Sequence, residues 1–204
     1  MSFNDNTIAS FFDDCASRGI LSEFSEEEKE KLKHVIARWD IKPGERLLEA
    51  GCGSGRLTGY LAEAVGNKGE VYACDLSAKM IVNALKRGVP PQARFVIGPV
   101  EQVNAPDGYF DKIIAFCVFP HFTNREKSLG EMCRVLKKGG SMYVNHLLCR
   151  DDLNSMHDDA ADIVIADPLP DDDTMRALFT RAGFDVTKIQ DCADSGYHLH
   201  AVKR

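Results

Sequence analysis

Three alternating glycines, Gly51, Gly53 and Gly55, constrain the fold of this chain more than any other feature of its sequence. The apolar segment 46–50 precedes them, and residues 56–65 follow with apolar side chains at helical spacing. This order predicts a strand, a glycine loop and a helix. Glycines in such a loop let backbone N–H groups approach a ligand without interference from a Cβ atom. The loop is therefore the first candidate for a binding site.

The spacing of the glycines separates two classes of ligand. A dinucleotide-binding loop needs glycines at relative positions one, three and six, but Arg56 occupies the sixth position, where it is too bulky for close helix–strand packing. Glu49 places a carboxylate at the end of the strand, which favours an ammonium group and opposes a pyrophosphate. Asp75 ends the next apolar run, where ribose hydroxyls can donate to it. The two acids predict a ligand with a ribose and a cationic end.

Strand and helix patterns alternate along the chain after the glycine loop. Further strands are predicted at residues 71–74, 93–97, 110–116, 141–147, 184–189 and 197–202. The alternation implies parallel strands with right-handed crossovers, whereas the short connection between the last two strands predicts an antiparallel hairpin. Gly139 and Gly140 are predicted to end the helix before residues 141–147. Ligands of such sheets bind outside the carboxyl ends of the strands.

The glycine loop is the first of four motifs. They are Glu49-x-Gly51-x-Gly53-x-Gly55, then Asp75, then Phe-Asp-Lys-Ile-Ile at 110–114, then Arg-Val-Leu-Lys-Lys-Gly-Gly at 134–140. With these motifs in order, the chain resembles a class I S-adenosylmethionine-dependent methyltransferase from about Val35 to the C-terminus. The resemblance implies an α/β, Rossmann-like fold with a doubly wound, mostly parallel seven-stranded sheet whose last strand is antiparallel. It implies an enzyme that uses S-adenosyl-L-methionine and leaves the methyl acceptor unidentified.

The resemblance also implies a set of cofactor contacts. The glycine loop faces the amino-acid part of the cofactor, Glu49 accepts from its ammonium group, Asp75 binds the ribose and Leu76 packs on the adenine. The implied cofactor-binding residues are Glu49, Gly51, Cys52, Gly53, Gly55, Asp75, Leu76, Val100, Glu101 and Phe116. One motif departs from the family, because Pro99 stands where an acid often accepts from the adenine amino group. The Val100 N–H and Glu101 remain as candidate adenine contacts.

Candidate catalytic residues are His121, His146 and His157. His121 opens the loop after the predicted strand 110–116, and His146 lies at the end of the predicted strand 141–147. The series His146-x3-Arg150-x3-Asn154-x2-His157 is polar at near-helical spacing. Three interpretations are open: a proton-abstracting histidine beside a polar acceptor clamp that includes Arg150 and Asn154, a metal site that uses His146, His157 and an acid such as Asp158, and a solvated loop. Phe119 is a candidate wall of the acceptor pocket or a core residue.

The chain is predicted to have two parts. Residues 1–40 form an N-terminal helical extension, in which Phe11 and Phe12 either fold over the pocket as a lid or pack at the domain edge. Residues 41–204 form the cofactor-binding domain. The inserted loop 148–170 is too long for an ordinary connection, and such loops often act as lids, so it is expected near the acceptor site.

Composition restricts the partners. With a net charge of −6, the chain lacks the excess of basic residues that is typical of nucleic-acid-binding proteins. Seven cysteines without a C-x-x-C pair predict reduced thiols in a cytoplasmic protein. No membrane span or leader peptide is expected.

The main interpretation is methyl transfer to a small-molecule acceptor. The alternatives are methylation of a protein or RNA group and a catalytically silent cofactor-binding or scaffold subunit. A nicotinamide dehydrogenase is a further alternative, against which Arg56 and Glu49 argue. The oligomeric state and a need for metal stay open.

Overall fold

A computed structural model describes residues 4–88, 90–159 and 166–204 of the chain. The strands are β1 (Arg46–Ala50), β2 (Glu70–Asp75), β3 (Ala93–Ile97), β4 (Phe110–Phe116), β5 (Leu136–His146), β6 (Phe184–Cys192) and β7 (Gly196–Lys203). The helices are α1 (Asp5–Ser17), α2 (Glu26–Trp39), α3 (Thr58–Val65), α4 (Ala78–Lys86), α5 (Arg125–Val135), α6 (Arg150–Asp159) and α7 (Asp172–Arg181). Short 3-10 turns occupy Gly66–Lys68 and Phe119–His121.

The strands form one sheet in the order β3-β2-β1-β4-β5-β7-β6. Strands β1 to β5 pair in parallel, and β7 runs antiparallel to both of its neighbours, β5 and β6. This topology confirms the predicted doubly wound sheet with an antiparallel last strand. Strands β2, β1 and β4 are adjacent and parallel, so their carboxyl ends meet at one edge of the sheet. Ligands of such sheets bind outside the carboxyl ends of the strands.

Both faces of the sheet are buried. Alternating side chains of β1 show why: Leu47 enters one core with Trp39 of α2 and Leu61 of α3, while Leu48 enters the other with Phe179 of α7. All five of these side chains are at most 1% exposed. The sheet is therefore a rigid platform for the loops at its carboxyl edge.

The structure corrects two predicted boundaries. Gly139 and Gly140 do not end a helix, because α5 already ends at Val135 and β5 begins at Leu136, which pairs with Phe110. The two glycines lie in an irregular start of β5, where Gly139 has a φ of 74°. A local sequence pattern could not show that pairing across the sheet starts so early. Helix α3 begins at Thr58 instead of Arg56.

The segment predicted as the inserted loop 148–170 is partly helical. Residues Arg150–Asp159 form α6, in keeping with the near-helical spacing of their polar side chains. Residues 160–165 lie outside the described part of the chain. No helix in the described residues is long and apolar enough to cross a membrane.

Candidate functional site

A cleft of about 890 Å³, its open mouth included, lies at the carboxyl ends of β1, β2 and β4. The glycine loop after β1 forms its floor, and α1 lies across it. The cleft therefore occupies the edge of the sheet that the parallel topology assigns to ligands.

The three loop glycines have different roles. All three have positive φ values, of 71° at Gly51, 53° at Gly53 and 74° at Gly55, which favour glycine. A Cβ at Gly51 would overlap Val118, and a Cβ at Gly55 would lie 2.9 Å from the Cβ of Ala84. A Cβ at Gly53, which lines the cleft, would meet no protein atom within 4 Å. Gly51 and Gly55 thus permit close packing, and Gly53 keeps space free beside the loop.

Asp75 is held rigidly on the cleft wall. Its Oδ2 accepts the Gly53 N–H at 2.8 Å, and its Oδ1 accepts the Ser77 N–H at 2.8 Å. Burial raises the pKa of the Asp75 carboxyl, and the two backbone N–H groups counteract that rise. Each oxygen keeps lone-pair capacity for a second donor, so the carboxylate can receive a pair of hydroxyl groups.

Glu49 lies deeper, at the end of β1, and is 2% exposed. Burial raises the pKa of its carboxyl to about 8, against the lowering effect of the Thr58 hydroxyl, which donates to Oε2 at 2.6 Å. The negative charge of Asp75 raises the pKa further. Within the described residues no lysine or arginine forms an ion pair with Glu49. A cationic ligand group in the cleft would supply the positively charged partner that Glu49 lacks among the described residues.

The remaining residues predicted to bind the cofactor lie at the cleft, except Gly55, which packs against Ala84 instead. The cleft is lined by Glu49, Gly51, Cys52, Gly53, Asp75, Leu76, Val100, Glu101 and Phe116. Glu101 accepts the Ser128 hydroxyl at 2.5 Å, which orients its carboxylate. Burial raises the pKa of the Cys52 thiol, so this cysteine has no feature of a nucleophile.

The three candidate catalytic histidines lie together, but only His121 of the three lines the cleft. The centroid of its ring lies 5.1 Å from that of Phe12 and 5.6 Å from that of His157, which is buried. His146 is 2% exposed, and burial, reinforced by the charges of the other two histidines, lowers its pKa to about 3. An imidazole with so low a pKa is a weak base at neutral pH. The geometry therefore favours His121.

Arg150 and Asn154, the predicted acceptor clamp, make contacts within the protein instead of lining the cleft. Arg150 pairs with Asp172 and, at 3.3 Å, with Asp191. Asn154 accepts the Leu169 N–H at 2.8 Å and donates to the Leu169 carbonyl at 3.2 Å. These contacts fasten α6 to α7, β6 and the segment before α7, and neither side chain lines the cleft.

Phe119 is a core residue. It is fully buried, and its ring stacks on Phe179 with centroids 6.2 Å apart. Of the two interpretations for this aromatic residue, the structure supports the core.

The described residues provide no ligand set for the metal interpretation. Among the described residues no group of three or more histidine, cysteine, aspartate or glutamate side chains is arranged to hold a metal ion. The side chain of Asp158, a candidate ligand together with His146 and His157, lies outside the described part of the chain.

Sequence reasoning missed most of the contribution of α1. Asp5, Ile8 and Phe12 line the cleft. Asp13 fixes the helix in place, because it accepts the Ser77 hydroxyl at 2.5 Å and the Lys79 N–H at 3.1 Å at the start of α4. The pair Phe11 and Phe12 was the only sequence signal for this arrangement.

The segment after α1 extends the cover. Leu21 lines the cleft with a positive φ of 60°, and its carbonyl accepts the Ser54 hydroxyl at 2.9 Å. Arg87 links the glycine loop to this segment, because it donates to the Ser54 carbonyl at 2.8 Å and pairs with Glu23 at 2.8 Å. We call α1 and residues 18–24 the N-terminal cover. It is hydrogen-bonded to the glycine loop and to α4.

The chain matches a known family over this region. The chain matches the family described as "Methyltransferase domain" over residues 48–144, from β1 to β5. The matched segment contains the glycine loop, Asp75 and His121, and therefore most of the cleft.

A curated relative agrees with that match. The protein named ubiquinone/menaquinone biosynthesis C-methyltransferase UbiE from Vibrio cholerae is 37% identical over 108 residues, which are 50% of this chain and 41% of that protein. The matched region thus spans about two fifths of the length of this relative.

Solved structures share the fold. A chain in the complex between the Haloferax volcanii Trm112 methyltransferase activator and a methyltransferase superposes with a TM-score of 0.75 at 23% identity, covering 90% of this chain and 80% of that chain. Magnesium protoporphyrin IX methyltransferase (ChlM) from Synechocystis, solved with bound SAH, gives a TM-score of 0.70 at 16% identity and covers 98% of this chain and 100% of that chain. At these identities the likeness shows the fold alone.

Proposed function

Because the chain belongs to the class I S-adenosylmethionine-dependent methyltransferases, we propose that it transfers the methyl group of S-adenosyl-L-methionine to a small-molecule acceptor bound in the cleft. The observation that carries the proposal is the pair of acids at the carboxyl ends of β1 and β2, of which Glu49 is buried and Asp75 half-buried. Glu49 and Asp75 face one cleft and have no cationic side-chain partner within the described residues.

The cleft suits this cofactor. The Gly53 position leaves room beside the loop, Asp75 presents two oxygens to a ribose diol, and Glu49 presents a carboxylate to an ammonium group. Leu76 and Val100 supply apolar surface for the adenine. When bound, the cofactor supplies a methyl carbon made electrophilic by its sulfonium.

The protein contributes position and exclusion of water. The glycine loop and Asp75 hold the donor, and the N-terminal cover shields the reacting groups from solvent. We assign the proton-accepting role to His121, since it is the predicted catalytic histidine that lines the cleft. His157 then lies behind His121, and His146 contributes to packing.

A small acceptor is favoured over a protein or RNA group. The N-terminal cover crosses the cleft and is tied down at Asp13, Ser54 and Arg87, so a macromolecular surface would have to displace it. The UbiE relative, named for quinone biosynthesis, also supports a small molecule. We propose that the cover is a lid that opens for ligand entry.

Two measurements test the proposal. Isothermal titration should show binding of S-adenosylhomocysteine and no comparable binding of NAD; a preference for NAD would contradict it. Formation of S-adenosylhomocysteine from S-adenosylmethionine should then depend on the added compound in a metabolite panel. Binding without turnover across the panel would support a silent cofactor-binding subunit.

A further inference from the structure

The charges that line the cleft are unequal. Within the described residues, Asp5, Glu49, Asp75 and Glu101 contribute four carboxyl groups to the lining, against one guanidinium, that of Arg56. An anionic group of the acceptor beside these carboxyl groups would meet net repulsion. This imbalance restricts the chemistry of the acceptor.

Arg56 is engaged outside the centre of the cleft. Its Cζ lies 4.2 Å from the ring centroid of Phe24, and Nη1 donates to the Glu23 carbonyl at 3.4 Å. Both partners belong to the N-terminal cover. The guanidinium therefore stabilises the cover.

Asp5 is the carboxylate that the proposed cofactor contacts leave unassigned. It is half-buried in the first turn of α1, and its Oδ1 accepts the Thr123 hydroxyl at 2.7 Å. Thr123 stands two residues after His121, so Asp5 lies by the segment that carries the proposed proton acceptor. Among the described residues, no donor is hydrogen-bonded to Oδ2 of Asp5, so this oxygen can accept from a ligand.

The surroundings of Asp5 are apolar. Ile8 and Phe12 of α1 and Phe122 of the segment after β4 line the same cleft. A carboxylate beside such a wall selects a ligand that has an apolar body and one hydrogen-bond donor. A charge-assisted hydrogen bond of this kind is stronger than a neutral one.

We infer, on the basis of the proposed function, that Asp5 is a specificity-determining residue that selects neutral or cationic acceptors carrying an N–H or O–H group and rejects carboxylates and phosphates. The acceptor donates this group to Asp5 while its apolar body packs on Phe12 and Phe122. The acceptor is thus a small amine or hydroxy compound.

The test uses three probes with the same ring: benzylamine, benzyl alcohol and benzoate. Their dissociation constants are measured by NMR titration against the full chain saturated with S-adenosylhomocysteine. We expect benzylamine to bind about tenfold more tightly than benzoate, the size of one hydrogen bond to a charged group, with benzyl alcohol between them. Benzoate binding as tightly as benzylamine, or binding of none of the three, would overturn the inference.

Two variants locate the effect. Asp5→Asn keeps an oxygen for the Thr123 hydroxyl, so it should fold, and it should abolish most of the preference for benzylamine. Asp14→Asn makes the same charge change on the exposed side of α1, where Asp14 pairs with Arg18 at 3.3 Å, and should keep the preference. Equal selectivity in both variants would contradict the role of Asp5.

The two proposals fail separately. If S-adenosylhomocysteine does not bind at all, the proposed function fails. If it binds but the three probes show no selectivity, only the role of Asp5 fails.

Discussion

The acidic side chains at the two edges of the sheet differ in their partners. At the amino ends of the strands, Lys112 pairs with Glu45, Lys137 pairs with Asp111, and the Arg46 N–H donates to Asp111 at 2.9 Å. At the carboxyl ends, Glu49 and Asp75 lie in the cleft without a cationic side-chain partner in the described chain.

The pKa values follow this difference. Partial burial acts to raise the pKa of Asp111, but the Arg46 N–H and the Lys137 ammonium outweigh it and lower the pKa. Burial without a cation raises the pKa of Glu49 to about 8. The acids of the amino edge are thus paired and favour stability, while burial of Glu49 without a cation in the described chain costs stability, in keeping with its proposed role in ligand binding.

The largest expected effect compares one acid from each edge. Asp75→Ala removes hydrogen bonds to the ribose hydroxyls, each of about 1.5–3 kcal/mol when the acceptor is charged, so the affinity for S-adenosylhomocysteine should fall tenfold or more. Asp111→Ala should lower the free energy of unfolding and leave that affinity unchanged. Isothermal titration and urea unfolding measure the two quantities. If both variants lose affinity alike, the edges do not differ in function.

The second prediction concerns the pH dependence of binding. Glu49 must ionise to pair with the ligand ammonium, and its raised pKa means that it is largely protonated at neutral pH. The affinity for S-adenosylhomocysteine should therefore rise between pH 6 and pH 7.5, by at most about tenfold per pH unit.

Glu49→Gln is the matched control for that titration. It cannot ionise, so its affinity should be flat over the same range. A wild-type affinity that falls with rising pH would show that Glu49 does not pair with the ammonium.

A third prediction concerns stability. Because the folded protein holds the Glu49 proton to a higher pH than the unfolded chain, the free energy of unfolding should fall as pH rises from about 5 to about 8, by at most about 1.4 kcal/mol per unit. Urea unfolding at pH 5.5 and pH 7.5 measures this. The wild type should lose more stability than Glu49→Gln over that interval, and an equal loss would contradict the buried, uncompensated carboxyl.

The smallest effect compares two glycines. Gly53 at the carboxyl edge and Gly139 at the amino edge have φ values of 53° and 74°, and a Cβ at either would meet no atom within 4 Å. Substitution by alanine should destabilise both by roughly 1–2 kcal/mol through backbone strain. Only Gly53→Ala should also weaken binding of S-adenosylhomocysteine, since its methyl group would project beside the cleft. Equal binding by both variants would show that the Gly53 space is not used.

The floor of the site could be predicted from sequence because its signals are local. The glycine loop, Glu49 and Asp75 stand within one strand–loop–helix–strand unit, whose spacing fixes their positions at one edge of the sheet. The cover could not be predicted in the same way. Asp5 meets Thr123 across 118 residues, and no periodic pattern encodes such a contact.

The acceptor side illustrates the same limit. Arg150 and Asn154 have the polar character of ligand-binding residues, but their partners, Asp172, Asp191 and Leu169, become visible only in three dimensions. The sequence offers His121, His146 and His157 as catalytic candidates, and burial separates them in the structure.

The most direct test of the account is a crystal structure with S-adenosylhomocysteine. It should show the ribose hydroxyls on the Asp75 carboxylate, the amino group near Glu49, and the sulfur facing the part of the cleft that contains His121. A ribose bound away from Asp75, or an amino group that contacts neither Glu49 nor the glycine loop, would contradict the claim that the unpaired acids of the carboxyl edge form the cofactor site.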